Sequence, residues 1–188
     1  MTEKRIFVDV ETTGLDCKSN GIIQLAGIIK DGDLVETDFN YQVSPFPDDV
    51  IDVKALEVGG HTQESIRGFE SADKVFKDFI HTLGLYVDKY NKADKFQFVA
   101  YNARFDDSFL RQWFLKNGEK YYGSFFWFPP IDVMNMAAVR LESIRPQMKD
   151  FKLMTVAKEF GISIDESRAH DAMYDIQVTR KLFDILTH

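Results

Sequence analysis

Two carboxylates near the start of the chain have residue types and a spacing that could do chemistry. Asp9 and Glu11 lie two residues apart in the largely apolar run FVDVETTG (residues 7–14). Side chains alternate between the faces of a strand, so both acids share one face if the run is extended. Two half-buried carboxylates repel each other, and a hard divalent cation such as Mg²⁺ removes that cost. The run therefore predicts a metal and phosphate site, the alternative being a solvated strand end with incidental acids.

Further acids occur in NARFDD (residues 102–107). This segment lies where a strand is expected to lead into a helix, which is where open α/β sheets tend to bind ligands. Asp106 and Asp107 are about 100° apart on a helix, so only one of them is expected to face such a site. The alternative for either acid is a favourable interaction with the positive end of the helix dipole.

The last acidic segment is HDAMYD (residues 170–175). His170 and Asp175 cannot share a helix face because five residues place them about 140° apart, whereas Asp171 and Asp175 can share one. The spacing leaves open whether His170 or Asp171 works with Asp175. Capping of the helix N-terminus is the favoured role for Asp171, and the alternative for His170 is a helix-start residue without chemistry.

Composition limits the classes of protein that the chain can belong to. Its 188 residues fit a single domain, taken as residues 1–188, with a full core. A formal net charge of −7 argues against clamping of duplex DNA through many phosphate contacts. Cys17 is the single cysteine, so no intrachain disulfide is expected. Neither a signal peptide nor an apolar stretch of membrane-spanning length is visible, which predicts a soluble, cytoplasmic protein without membrane contact.

The elements expected to position the acids form an α/β domain with a mixed sheet. Three strand-like runs with an Asp-Gly turn signal after the second predict an antiparallel meander over residues 5–10, 21–29 and 34–43. Residues 44–68, rich in Pro and Gly, are predicted to be a long surface excursion. Apolar periodicity predicts two further strand-like segments, at 96–101 and 127–132, and helices at 71–87, 105–116, 133–141, 152–160 and 171–186.

The three acidic motifs together resemble those of the DEDDh 3′–5′ exonucleases. This family includes RNase T, oligoribonuclease and the proofreading exonuclease subunit of bacterial DNA polymerase III, to which the chain is similar. The matching segments are FVDVETTGL (residues 7–15), NARFD (102–106) and HDAMYD (170–175), which span nearly the whole chain. The resemblance implies a single exonuclease domain of ribonuclease H-like fold, in which the meander is extended by parallel strands and flanked by helices.

The activity implied by the resemblance is metal-dependent 3′–5′ exonucleolysis. The enzyme would release 5′-mononucleotides from the 3′ end of single-stranded or frayed nucleic acid, with DNA favoured. Two divalent ions, Mg²⁺ or Mn²⁺, would be held by Asp9, Glu11, Asp106 and Asp175. His170 would be the general base. Contacts with the terminal nucleotide are expected from Thr12, Thr13, Gly14, Leu15 and Asn102, although packing of Leu15 into the core is the alternative for that residue.

Other functions remain open within the same family. One is an oligoribonuclease-like or RNase T-like exoribonuclease, another is a proofreading subunit acting with a DNA polymerase, and a third is a non-catalytic binding domain. Because the chain ends at His188 directly after the last predicted helix, a free-standing nuclease is expected rather than one with a docking tail. Two positions depart from the family pattern: Tyr101 replaces a common His, and Gly59 replaces a His or Asn in the middle loop.

Overall fold

A computed structural model describes residues 3–168 and 171–188, so His170, the expected general base, lies outside the described residues. The strands and helices in chain order are β1 (Lys4–Thr12), β2 (Ile22–Asp31), β3 (Leu34–Ser44), α1 (Val53–Val58), α2 (Gln63–Arg67), β4 (Glu70–Ser71), α3 (Ala72–Gly84), β5 (Gln97–Ala100), α4 (Ala103–Lys116), β6 (Ile131–Asp132), α5 (Val133–Arg140), α6 (Leu153–Glu159) and α7 (Ala172–Thr187).

The six strands form one mixed sheet in the order β4-β3-β2-β1-β5-β6. Strands β1, β2 and β3 pair antiparallel, and Gly32 takes the positive φ of +58° that the tight turn between β2 and β3 requires. Strands β1, β5 and β6 run parallel. The predicted α/β architecture, an antiparallel meander extended by parallel strands, is confirmed.

The side chains on the two faces of β1 pack against different sets of helices. Its even-numbered apolar side chains, Ile6, Val8 and Val10, lie in a core with α3 and α4. Phe7 lies in the opposite core, where its ring meets that of Phe183 on α7 at 5.5 Å in an edge-on arrangement. Asp9 and Glu11 continue the Phe7 face because side chains alternate along a strand. The two acids therefore lie on the side of the sheet that α7 covers.

The prediction of a surface excursion at residues 44–68 is wrong in part. Helices α1 and α2 bury Leu56 and Ile66 against Ile23 of β2, which forms a third, small apolar cluster. Ile23 is an extra residue in β2, since Glu11 lies opposite Gln24 and Thr12 opposite Ile22. The Pro and Gly residues of this stretch mark turns between short helices, which hid the two buried positions from a periodicity argument.

Two of the longer helices, α3 and α7, begin where a side chain accepts their first backbone N–H groups. Ser71 caps α3 by accepting from Lys74 N, and Asp171 caps α7 by accepting from Met173 N and Tyr174 N. The N-cap role favoured for Asp171 is thus confirmed. Across the described parts of the chain, no helix combines the length and the apolar character needed to cross a membrane.

Candidate active site

Four carboxylates approach one another at the carboxyl ends of the parallel strands. Asp9 and Glu11 lie in the second half of β1, Asp106 in the first turn of α4 and Asp175 in the first turn of α7. Helix α4 follows β5, which runs parallel to β1, so its N-terminus lies at the end of the sheet where β1 also ends. Three sequence-distant motifs are brought together in this way.

The pKa values of Asp9, Glu11 and Asp106 are raised by burial and by the charges of their neighbours. Burial raises the pKa of Asp9 well above its ordinary value, and the neighbouring charges of Asp106, Glu11 and Asp175 raise it further. Burial also raises the pKa of Glu11 to about 7, with the charge of Asp175 adding to the effect. Like charges close together disfavour ionisation. Without a counter-charge the folded chain therefore holds these groups protonated at pH values where a free carboxyl is ionised.

Asp106 is fixed by the backbone of β1. Its Oδ1 accepts a hydrogen bond of 3.1 Å from Val10 N, and only 3% of the residue is exposed. This donor is available because the pairing of β5 with β1 ends at Phe7 and Val99. Burial raises the pKa of Asp106, while the Val10 N–H opposes part of that rise. A strand N–H left free by the end of the ladder thus orients this carboxylate.

The neighbouring Asp107 lies on the outer side of the same helix. Its carboxylate accepts from Arg111 Nε at 2.6 Å and from the Tyr122 hydroxyl at 2.8 Å. These contacts confirm that only one acid of the pair faces the site, and that it is Asp106. Asp107 holds α4 to the turn at Tyr122–Ser124 instead.

The donor set of the cluster fits a hard divalent cation. The carboxylates of Asp9 and Glu11 accept no hydrogen bond from residues 3–168 or 171–188, although both side chains are half-buried. Half-buried oxygens without donors and with mutual repulsion are what Mg²⁺ or Mn²⁺ ligation relieves. Even so, within the described ranges no three His, Cys, Asp or Glu side chains already stand as a group that could hold a metal ion. The raised pKa values of these acids reflect burial first and the charges of neighbouring acids second.

The loop after β1 is held by internal hydrogen bonds. Thr12 Oγ1 donates to the carbonyl of Gly14 at 2.7 Å. Gly14 has no room for a side chain, because a Cβ there would lie 2.5 Å from the Asn20 amide. Asn20 in turn donates to the Thr13 and Val50 carbonyls. The loop is a fixed wall beside the acids.

Thr13 does not have a free group for a substrate. Its side chain is fully buried, and Oγ1 donates to the Val50 carbonyl while it accepts from Gly21 N. Its N–H donates to the Gly21 carbonyl, and its own carbonyl accepts from Asp52 N. The expectation of a substrate contact from Thr13 is therefore corrected to a structural role, namely joining the loop to β2 and α1.

A pocket opens between this loop and the face of α4 that carries Phe105 and Phe109. Its lining includes Leu15, Cys17, Asn102, Phe105 and Phe109. Leu15 is 87% exposed, so the alternative in which it packs into the core is wrong. Phe109 is part of the core and Phe105 is only partly buried against it. The pocket offers apolar surface from Leu15 and Phe105 between the loop after β1 and the first turns of α4.

Asn102 occupies the turn from β5 into α4 with a left-handed backbone, at φ +64°. Its N–H donates to Asp132 Oδ1 at 3.1 Å, and the same oxygen accepts from Met134 N at the start of α5. Asn102 makes no side-chain cap to its own helix. Its exposed side chain therefore lies at the pocket without a capping role.

Two neighbours of the site could not be seen from the sequence. Gly59, between α1 and α2, leaves space beside Glu11, because a Cβ there would lie 3.7 Å from Glu11 Oε2. Tyr101 reaches across to Phe151, to whose carbonyl its hydroxyl donates at 2.7 Å. The only sequence signal for either position was its departure from the family motif.

Most of the chain matches a known family. A family model described as an exonuclease, RNase_T, matches residues 6–183, and the chain belongs to this exonuclease family. It is 30% identical over 185 residues to the PolC-type DNA polymerase III of Mycoplasmopsis pulmonis, which covers 97% of this chain. Identity to the PolC-type DNA polymerase III of Bacillus cereus is 28% over 178 residues, or 94% of this chain. The chain spans only 11% of the length of each of these relatives.

Solved structures share the fold. Escherichia coli exonuclease I in complex with a dT13 oligonucleotide superposes with a TM-score of 0.76 at 25% identity, covering 98% of this chain and 41% of that one. A zinc-bound complex of the same enzyme with single-stranded DNA gives 0.73 at 25% identity, covering 98% and 43%. A 3′-exonuclease that recognises the histone mRNA stem-loop gives 0.74 at 16% identity, covering 99% and 82%, and shows the fold alone. The predicted resemblance to DEDDh exonucleases and the ribonuclease H-like fold are confirmed.

Proposed function

We propose that this chain hydrolyses the terminal phosphodiester bond at the 3′ end of single-stranded or frayed DNA and releases 5′-mononucleotides. The observation that carries the proposal is the cluster of Asp9, Glu11, Asp106 and Asp175 at the carboxyl ends of the parallel strands, where burial and then the charges of the other three acids raise the pKa of Asp9. A structural role would pair Asp9, Glu11 and Asp106 with cations, as Asp107 is paired with Arg111. A cluster of buried acids that repel one another is typical of a catalytic site.

The metal ligands in this proposal are Asp9, Glu11, Asp106 and Asp175. Two bound Mg²⁺ or Mn²⁺ ions would lower the pKa of a water and offset the charge that grows on the leaving 3′ oxygen. Val10 N holds the Asp106 carboxylate in one orientation, and the missing side chain at Gly59 keeps space open beside Glu11. The zinc-bound complex of exonuclease I supports a divalent-metal site on this fold.

The terminal nucleotide would lie in the pocket beside Leu15. Leu15 and Phe105 offer apolar surface to its base, Asn102 offers an amide, and Thr12 to Gly14 form the adjoining wall. Unstacked bases can enter such a pocket, whereas paired bases cannot. A single-stranded or frayed end is therefore the proposed substrate.

His170 is proposed as the general base that takes a proton from the attacking water. Its ordinary pKa of about 6.5 suits proton transfer near neutral pH. Cleavage should then slow on the acid side as His170 becomes protonated. A rate that does not change between about pH 5 and 8 would exclude this role.

DNA is the proposed strand because the curated relatives and the exonuclease I complexes point to it, whereas the neighbour that recognises an mRNA stem-loop shares the fold alone. The curated relatives are DNA polymerases, and one structural neighbour is a complex with an oligothymidylate. A polymerase is a second proposed partner, because the chain matches a portion of PolC-type polymerases rather than a whole protein. Co-purification with a polymerase would distinguish a proofreading subunit from a free-standing nuclease, and cleavage of RNA in preference to DNA would favour the exoribonuclease alternative.

The decisive experiment is a time course on 3′-labelled and 5′-labelled single strands of DNA and RNA. Each is incubated with Mg²⁺, Mn²⁺ or EDTA. Asp9→Ala is compared with Asp33→Ala, which removes the same charge from an exposed residue in the hairpin turn at the other end of β1. We expect stepwise shortening from the 3′ end that requires metal, is absent in Asp9→Ala and is retained in Asp33→Ala. Near-wild-type activity of a folded Asp9→Ala would overturn the two-metal proposal.

A further inference from the structure

A segment with three basic side chains packs beside the site through Tyr101. This segment, residues 145–152, has the sequence RPQMKDFK. The Tyr101 hydroxyl donates to the Phe151 carbonyl at 2.7 Å. Burial raises the pKa of Tyr101, so the hydroxyl keeps its proton and remains a donor. The next residue, Asn102, donates its N–H to Asp132 at the end of β6, so Tyr101 joins the segment to the carboxyl ends of the parallel strands.

The cations of this segment are available to a ligand. Arg145, Lys149 and Lys152 are exposed, and none of them forms an ion pair within residues 3–168 or 171–188. The single acid of the segment, Asp150, is engaged by the Thr155 hydroxyl and by Lys152 N, and these hydrogen bonds lower its pKa. Lys149 and Lys152 also act electrostatically on Asp150, without forming an ion pair with it. The segment thus presents three exposed cations in a chain of net charge −7.

Arg145 is held in a defined place. Its guanidinium lies over the Phe151 ring, 4.0 Å from the ring centre. Stacking on an aromatic face restricts the side chain and leaves the N–H groups at the guanidinium edge free to donate. Those donors match the geometry of phosphate oxygens. The residue whose carbonyl binds Tyr101 therefore also carries the ring that orients the arginine.

We infer that residues 145–152, anchored by Tyr101, bind the phosphate backbone of the single strand on the 5′ side of the bond that is cleaved. The inference rests on the proposed function and deepens it by assigning where the rest of the strand lies. Arg145, Lys149 and Lys152 contact phosphates, and Tyr101 is a positioning residue. The cations supply, a short distance from the acids, the attraction for a polyanion that the chain as a whole lacks.

The first test compares two substrates with Arg145→Ala. One substrate is an oligothymidylate of about ten nucleotides, long enough to cross the segment, and the other is the p-nitrophenyl ester of thymidine 5′-monophosphate, which has no upstream strand. We expect KM for the oligonucleotide to rise about three- to tenfold with kcat unchanged, and no change with the ester. The matched control is Lys92→Ala, which removes one exposed, unpaired cation before β5, at the opposite end of the sheet. An unchanged KM for the oligonucleotide would overturn the inference.

Salt dependence gives a second, independent measure. Each lost phosphate contact on a single strand lowers the slope of log affinity against log salt by about 0.7. Arg145→Ala and Lys149→Ala should each reduce the slope by about that amount, and Lys92→Ala should leave it unchanged. A slope that remains at the wild-type value in both variants would count against phosphate contact. If Arg145→Lys keeps the salt slope of the wild type, the positive charge rather than the planar guanidinium is the source of the effect.

Tyr101→Phe tests the anchor. It keeps the ring and removes the donor to Phe151, so KM for the oligonucleotide should rise about threefold. Combined with Arg145→Ala it should add little, because both changes act on the same contact. A merely structural role would lower stability and affect both substrates alike. Additive effects on KM would remove Tyr101 from the inference.

Binding without turnover keeps this test separate from that of the proposed function. Anisotropy of labelled oligothymidylate is measured with EDTA present. Weaker binding by Arg145→Ala than by Lys92→Ala supports the inference even if no cleavage is found. Equal binding overturns it even if the chain is an active exonuclease.

Discussion

Two neighbouring aspartates in the first turn of α4 have opposite surroundings: Asp106 lies on the inner side of the helix, towards the acidic cluster, and Asp107 lies on the outer side, away from it. Asp106 faces inward, where burial and neighbouring acids raise its pKa and one backbone N–H is its donor. Asp107 faces outward and is bound by the Arg111 guanidinium and the Tyr122 hydroxyl. The difference shows that the outer acid contributes to the fold, whereas the inner acid is left with ligand capacity that the described residues do not use.

The largest expected effect separates the two aspartates by activity. Asp106→Asn keeps an acceptor for Val10 N but loses the charge needed for metal ligation, so we expect the cleavage rate to fall at least about a hundredfold. Asp107→Asn should retain near-wild-type kcat and lose about 2 kcal/mol of stability. Both are measured by gel-based nuclease assays and urea melts. Equal losses of activity in the two variants would contradict the assignment of Asp106 to the site and of Asp107 to the fold.

Metal binding should stabilise the protein through the inner acids alone. A divalent ion that binds only the folded state adds about 2.7 kcal/mol at a hundred times its Kd. For a chain of this size that corresponds to a rise in Tm of roughly 5–10 °C. Thermal melts with Mg²⁺ or Mn²⁺ against EDTA should show the rise in wild type and Asp107→Asn. The rise should be absent in Asp106→Asn and Asp9→Ala, so a shift of wild-type size in these variants would contradict ligation here.

The metal-free protein should lose stability as pH rises through the acid range. The pKa of Glu11 is raised from 4.5 to about 7 in the folded chain, so between these values the folded state binds more protons than the unfolded state. The free energy of unfolding falls with pH in that window. Urea melts in EDTA should show the fall, and Glu11→Gln should flatten it while exposed Glu64→Gln should not. A stability that rises from pH 4.5 to 7 would contradict the raised pKa.

The smallest expected effect lies on the outer side of α4. Tyr122→Phe removes the hydroxyl that donates to Asp107 and leaves the ring in place, so we expect a loss of about 1 kcal/mol. Cleavage and metal-induced stabilisation should be unchanged. Urea melts of this variant and of Asp107→Asn measure how much stability each change removes. A loss of activity in Tyr122→Phe would mean that the outer side also serves the site.

Local periodicity accounts for what the sequence could predict. The alternation of Asp9 and Glu11 with Val8 and Val10 placed both acids on one face of a strand, and the structure has them there. Helical angles showed that Asp106 and Asp107 could not both face the site. They could not show which one does, because that depends on where β5 stops pairing with β1 and leaves Val10 N free.

The contacts that escaped prediction join residues far apart in the chain. Tyr101 meets Phe151, 50 residues on, and Gly59 lies beside Glu11 from a segment that appeared to be a surface excursion. Neither contact has a local pattern, since each depends on how separate elements pack. The same holds for Thr13, whose type and position fit a substrate contact until its partners at Val50 and Gly21 are seen.

The extra residue at Ile23 gives the middle loop a core of its own. Because Ile23 has no partner on β1, it is free to pack with Leu56 and Ile66 in a cluster separate from the two main cores. A small cluster of this kind can open at a lower free energy than the sheet to which it is attached. We therefore expect the backbone amides of α1 and α2, which lie beside Glu11 through Gly59, to exchange with solvent at a lower free energy of opening than those of the sheet that carries the acids.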